Sequence, residues 1–370
     1  MTSIFVVLLI FFTMRILHIV EHLRELGNGG VNVAVDLACL QAKSGYDVAI
    51  ASRGGEYEAL LKQYGVQCFS LEQSKKLKEF IAGTRQYQNI VDNFKPDIVH
   101  THTMIGASMA KLVKLFRGKA QYFLVSTVHN EFQRSSILMG LADRVIAVST
   151  SVERSMNRKG IPKHKLRIIF NGTIDSPRTR PLSDYEALPL ARPAITSVAG
   201  MHLRKGLIEL VQAFTQIAEK IPEAHLYLVG NGPDRTLIET EAKKTSVANR
   251  IHFEGFQAEP QRYLLATDIF VLASHREPFG LAISEAREAG CAIVASNVDG
   301  IPDVMEHGKA GILVPPANSK VLADTLLKLL NDASLLHHWK AQAQQNLYWL
   351  SVKRVHQETL SVYQELVSKA

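Results

Sequence analysis

With 370 residues, 46% hydrophobic and 21% charged, the chain has an ordinary globular composition, which excludes a disordered or fibrous protein, and no short-period repeat runs through it. At roughly 100–200 residues per domain, this length leads us to expect two domains with a cleft between them. The net charge of +7 is unevenly spread, since residues 1–185 carry 24 Lys and Arg against 15 Asp and Glu and the remainder 18 against 20; the basic half suits an anionic membrane surface, because it lacks the interleaved aromatics and modules of a nucleic-acid binder.

Residues 1–13 hold an apolar run from Ile4 to Phe12, shorter than the roughly 20 residues of a membrane span. No basic residue precedes it and no small-residue cleavage site follows, so a signal peptide is disfavoured. The expectation is an overextended start or a short tail ahead of Met14; a hydrophobic anchor is the alternative. From Met14, β-branched runs alternate with helical patterns. The runs lie at 15–20, 46–52, 97–102, 122–129, 144–149 and 166–172, with helices near Val31 to Ala42 and across Leu77 to Phe94. That rhythm predicts a parallel sheet with crossover helices, a doubly wound domain at 14–178. Within it, Lys111, Lys114 and Arg117 recur at helical spacing beside Leu112, Leu115 and Phe116. This is the pattern of an interfacial helix and equally of an ordinary amphipathic one. Prolines between Asp175 and Pro193 break the rhythm and place a linker at 179–193. A second alternation at 194–200, 225–232, 250–256, 268–274, 292–296 and 311–316 predicts a second doubly wound domain over 194–350. Residues 351–370 form a closing helix, expected to pack back on the first domain. Cys39, Cys68 and Cys291 are few, odd in number and widely spaced, which fits a reducing, cytoplasmic compartment.

Ligands of such sheets sit at the carboxyl ends of the strands, and the chemistry-bearing residues fall there. Gly29 and Gly30 follow the first strand and open a helix whose amides could face an anion. The spacing is not a dinucleotide fingerprint, because Asn32 stands where a third glycine is needed. After residues 194–200, Arg204 and Lys205 precede a helix and could neutralise a diphosphate without a metal. No Asp-x-Asp pair exists to hold one. After 268–274, the turn His275 to Gly280 carries Glu277, and the helix behind it carries Glu285. Between them, the amides of Phe279, Gly280 and Leu281 are unpaired donors of a helix N-terminus, suited to a phosphate flanked by sugar hydroxyls. A glycosidase acid and nucleophile is disfavoured, because those carboxylates face each other across the scissile bond. His100, His102 and His129 end two strands; the first two read as structural hydrogen-bonders, and His129 lies near the cleft. No acidic or cysteine partner completes a metal set with them.

Together the segments "EPFGLAISE", "GNGGVNVAVDLA", "PDIVHTH", "ADRVIAVS", "FNGTID", "GMHLRKG" and "YLVGNGP" resemble glycosyltransferase family 4, retaining enzymes of the GT-B fold. Glu277 and Glu285 match the family's E-x7-E motif. The resemblance implies two Rossmann-like domains facing across a cleft that binds a nucleoside diphosphate sugar, with no cofactor and no metal. Glu277 would contact the sugar, Glu285 the ribose, and the amides of Phe279 to Leu281 with Arg204 and Lys205 the diphosphate. Gly29, Gly30, Gly200 and Asn231 would line the donor site, and His129 would lie near the anomeric carbon. Many members carry arginine where this chain has Met201, so the cationic role falls on Arg204. The implied reaction is hexose transfer to a glycan or lipid-linked acceptor of cell-surface polysaccharide or lipopolysaccharide type, in the cytoplasm or peripherally on the inner membrane face. A nucleotide-sugar epimerase of the same fold, or a non-catalytic sugar-binding protein, stays open as an alternative.

Overall fold

The structure is a computed structural model that describes residues 14–116 and 122–368. The apolar run near the start and the Arg117 end of the basic stretch lie outside the described residues. Among those described, β1 (Arg15–Ile19), β2 (Asp47–Ser52), β3 (Gln67–Ser70), β4 (Ile98–Thr101), β5 (Phe123–Val128), β6 (Arg144–Ala147) and β7 (Leu166–Ile168) form a seven-stranded sheet in the order 3-2-1-4-5-6-7. A six-stranded sheet follows, built from β8 (Ala194–Val198), β9 (His225–Val229), β10 (Ile251–Gly255), β11 (Ile269–Leu272), β12 (Ala292–Ser296) and β13 (Ile312–Val314) in the order 10-9-8-11-12-13. Every pairing between these strands is parallel.

Helices cover both faces of each sheet, so central strands such as β4, β11 and β12 are buried along their whole length. This is why β11 and β12 read as near-continuous apolar runs rather than alternations, while β4 carries His100 and Thr101 at its carboxyl end. Neither β3 nor the helix Glu58–Gln63 before it is expected from the sequence pattern. β3 is a half-exposed edge strand without a β-branched residue, held by its register with β2, Ala49 opposite Gln67.

The chain crosses between the two units twice. After β13 it runs through helices Ser319–Asn331 and Ala333–Ala343 and then into helix Val352–Val367. Val355, Val362, Tyr363 and Leu366 of that last helix pack with Ile16, Val33, Ile98 and Val125 of the first unit. Its end is fixed by Glu365, which accepts from Arg144 and Arg167, each at 2.7 Å, and its start by Arg354, which donates to the Phe170 carbonyl at 2.7 Å.

The basic stretch belongs to helix Met104–Phe116. Lys114 is not free there, since it pairs with Asp143 at 2.6 Å, whereas Leu115 and Phe116 are 66% and 83% exposed. No described helix is long and apolar enough to cross a membrane.

Strand order reverses between β1 and β4 and again between β8 and β11. At these switch points the crossover helices diverge to opposite faces and leave a crevice at the strands' carboxyl ends. Both crevices open on one shared cleft of about 750 Å³.

Candidate active site

The second-domain wall comes from the loops after β8 and β11. Gly206, at φ 65°, sits so close to β11 that a Cβ there would lie 1.9 Å from the Ala273 carbonyl oxygen. The amide of His275 donates to the Arg204 carbonyl at 2.8 Å. These contacts zip the two loops together and bring Lys205 against Glu277, ammonium to carboxylate, with side chains only 14% and 10% exposed. Asp299 holds the Glu277 amide at 3.0 Å.

Gly280, at φ 100°, then caps helix Leu281–Glu288. The first amides of a helix have no intrahelical acceptor, so this N-terminus offers the cleft donors and the positive end of the helix dipole. Phe279 contributes backbone only, because its ring is buried against Phe170 and Trp349.

Glu285 also lines the cleft, where burial pushes its carboxyl up to about 7 and nearby Arg178 pulls the other way. Arg178 has no motif of its own in the sequence. It lies in the Pro-rich crossing segment, where an Arg-Thr-Arg run reads as solvated. Here its guanidinium grips buried Asp36 of helix Gly29–Lys43 at 2.9 and 3.0 Å, and Ser176 donates to the same carboxylate at 2.7 Å. Burial alone would lower the Arg178 guanidinium, but Asp36 more than restores it. Two residues beyond Glu285, fully buried Arg287 donates to the carbonyls of Val304, Ala343 and Gln345 at 2.8–2.9 Å and to Glu306 at 2.6 Å. One face of this helix thus serves the cleft while the other is pinned to the C-terminal segment.

On the first-domain wall the structure corrects the expectation for Gly30. Its amide does not await an anion, because Asn28 Oδ1 caps it at 3.1 Å. Space is also tight at both glycines. A Cβ on Gly29 would come within 2.7 Å of Leu281 across the cleft, and one on Gly30 within 3.0 Å of the His129 ring.

His129 lines the cleft and is pushed down to about 4 by burial. Its Nε2 meets His102 Nδ1 at 2.9 Å, and His102 Nε2 meets His18 Nδ1 at 3.1 Å. His100 is a structural hydrogen-bonder, held between Tyr363 at 2.5 Å and Thr127 at 2.7 Å. His102 bonds likewise, but its partner is the cleft histidine. His18, His100 and His102 present ligand atoms within 4.8 Å of one another. Their ring nitrogens are already engaged by neighbouring side chains.

Gly200 and Asn231 line the opposite side. The Asn231 carbonyl accepts from the Met201 amide at 2.9 Å, and Met201 itself is buried in the second core, so no cation could stand in its place without leaving that core. Arg204 reaches over the cleft instead, 5.8 Å from the ring of Phe132 on the first domain, and donates to the Arg276 carbonyl at 3.3 Å.

Two family descriptions match the chain: "Glycosyltransferase Family 4" over residues 27–175 and "Glycosyl transferases group 1" over residues 183–346. Among relatives, N-acetyl-alpha-D-glucosaminyl L-malate synthase of Bacillus anthracis is 27% identical over 270 residues, 68% of this chain and 70% of the relative. The lipopolysaccharide core biosynthesis glycosyltransferase LpsE of Rhizobium meliloti is 29% identical over 40% of this chain and 42% of its own. The fold is that of HepE from Anabaena, solved in complex with UDP and glucose, at a TM-score of 0.80 and 19% identity over 94% of this chain and 99% of that one. Two adjoining glycosyltransferase regions, laid on two parallel sheets that face each other across a single cleft, make this chain a glycosyltransferase of the GT-B fold.

Proposed function

We propose that the chain is a retaining, metal-independent family 4 enzyme that transfers a hexose from a nucleoside diphosphate sugar to a glycan or lipid-linked acceptor, in cell-surface polysaccharide or lipopolysaccharide assembly. The observation that carries this reading is the grouping, on one wall of the cleft, of the Lys205–Glu277 pair, the N-terminus capped by Gly280, and Glu285. A diphosphate seated on those amides finds Lys205 and Arg204 beside it, and cations there stabilise the charge of the leaving group as a metal otherwise would. Glu277 then faces the sugar hydroxyls and Glu285 the ribose hydroxyls, both as acceptors. His129, Gly200 and Asn231 complete the donor pocket.

Closure of the two domains over the donor excludes water that would otherwise hydrolyse it. The bond from the anomeric carbon to the β-phosphate oxygen breaks through an oxocarbenium-like state. The acceptor oxygen bonds the same face, and its proton passes to the departing phosphate. Configuration is therefore retained. The basic first half and the exposed Leu115 and Phe116 support work at the inner face of the cytoplasmic membrane, where a lipid-linked acceptor would lie.

The test is thermal stabilisation of the protein by UDP, GDP and ADP and by their hexose conjugates, with EDTA present. A shift with one nucleotide family, lost in Glu285→Ala and in Lys205→Ala, supports the donor site. Turnover that depends on an added glycan acceptor and gives a product of unchanged anomeric configuration supports transfer. Consumption of donor without any acceptor would favour the epimerase, and a stabilising ligand without turnover would favour the binding protein.

A further inference from the structure

The hydrogen bonds of His129 do not stop at His102. They continue through His18 to Gln41 on helix Gly29–Lys43, where His18 Nε2 lies 2.7 Å from Gln41 Oε1. The other end of the same amide, Gln41 Nε2, reaches the hydroxyl of Tyr363 at 3.4 Å, and that hydroxyl meets His100 Nδ1 at 2.5 Å. His100 Nε2 ends the series on Thr127 Oγ1 at 2.7 Å. One line of contacts thus joins the cleft to the closing helix Val352–Val367 through the carboxyl ends of β1, β4 and β5.

Every imidazole in this line is held neutral by burial. His18 and His129 are pushed down to about 4, and His100 and His102 lie well below the usual range. A neutral imidazole has one N–H and one lone pair, so fixing either nitrogen fixes the other. Gln41 Oε1 carries no hydrogen and only accepts, so His18 donates from Nε2 and accepts at Nδ1. His102 must then donate from Nε2 and accept at Nδ1, and His129 must donate from Nε2. That assignment leaves a lone pair on His129 Nδ1, a buried atom without a partner among the described residues. On the other arm Gln41 Nε2 donates to Tyr363, Tyr363 to His100, and His100 to Thr127, with no donor facing a donor anywhere along the line. Turning the Gln41 amide over would reverse every bond and place a proton on His129 Nδ1. A metal ion at His18, His100 and His102 would need lone pairs that this arrangement has already committed.

We propose that Gln41 is a positioning residue: through His18 and His102 its amide fixes the tautomer of His129, leaving the lone pair on Nδ1 and the proton on Nε2. If a hydroxyl of a bound ligand reaches Nδ1 it meets an acceptor there, and a protonated Nδ1 would turn it away. Only this use rests on the donor-site reading above; the tautomer itself follows from the orientation of the Gln41 amide.

The experiment is nitrogen NMR of the ligand-free full-length protein labelled with ¹⁵N-histidine, with the His129 resonances assigned by their loss in His129→Asn. The expected wild-type result is a pyridine-like Nδ1 and a pyrrole-like Nε2 for His129 at neutral pH. Gln41→Glu, whose carboxylate accepts from His18 as the amide oxygen does, keeps that pattern. Gln41→Leu removes the acceptor, and His129 becomes a mixture of tautomers while the fold, followed by far-UV circular dichroism, is kept. A pyrrole-like Nδ1 in the wild type overturns the proposal before any variant is made. An unchanged His129 pattern in folded Gln41→Leu overturns it as well. Because no ligand is present, these outcomes are independent of whether the donor screen succeeds.

Discussion

At the residue scale, the cleft concentrates charge where water is scarce, and two side chains give separate tests of that. Lys205 stands against Glu277 and next to the helix N-terminus that Gly280 caps. If it stabilises the leaving diphosphate, Lys205→Met lowers kcat/KM by about 10²–10³, the cost of removing one preorganised donor from a site of developing charge. Steady-state kinetics with the donor found by thermal shift checks this. Glu285 is the second test. Burial raises its carboxyl from 4.5 to about 7. Between those values the unfolded chain has released the proton and the folded chain keeps it, so the stability this group contributes is full below about 4.5 and is lost as the pH rises through about 7. Glu285→Gln cannot lose it. Urea unfolding at pH 5 and pH 8 is therefore expected to show the variant gaining on the wild type by up to about 3 kcal/mol across that interval. A gap that does not move with pH would count against a protonated Glu285.

At the scale of elements, two glycines decide whether loops and helix meet in register. A Cβ at Gly206 would collide with the backbone of Ala273 at 1.9 Å. A carbonyl cannot rotate away as a side chain can, so Gly206→Ala pushes the loop carrying Arg204 and Lys205 off the loop carrying Glu277. The expected cost is about 1–3 kcal/mol of stability together with loss of nucleotide-dependent stabilisation. Gly280 is different, because the objection there is its left-handed φ of 100° more than space: a Cβ would meet its nearest neighbour, the Ile283 side chain, at 3.2 Å. Gly280→Ala is expected to cost about 1–2 kcal/mol, and thermal melts of both variants with and without nucleotide separate the two effects. The helix itself is short, yet Arg287 fixes it from behind through three carbonyls and Glu306, so Glu285 is carried on a rigid support.

At the scale of the whole molecule, the closing helix makes the two units interdependent. Tyr363 is fully buried and belongs to the apolar cluster shared with β1, β4 and β5. Truncating it leaves a cavity in that cluster, and Tyr363→Ala is expected to cost about 3–5 kcal/mol. Differential scanning calorimetry is expected to show the loss in the transition of the first unit, to which the helix is tied by Arg144, Arg167 and Glu365. Asp36 and Arg178 make the second crossing connection, between the first helix and the segment that leads to β8.

The sequence by itself determined the two parallel sheets, because strands buried on both faces must be written as apolar runs separated by helices. It also determined the Glu277–Glu285 segment, because a strand end, a turn and a helix N-terminus are contiguous in the chain and their chemistry is local. Only the tertiary structure decided the rest. β3 carries no pattern of its own and exists by pairing with β2. Arg178 carries no signal in its Pro-rich segment, and only the fold lays it on Asp36 and beside Glu285. Gln41, His18 and Tyr363 are ordinary one by one, and Tyr363 lies 322 residues from Gln41. Their role comes from hydrogen bonds that the packing of three strands and two helices brings within reach, and no local pattern encodes contacts between residues 23 to 322 positions apart.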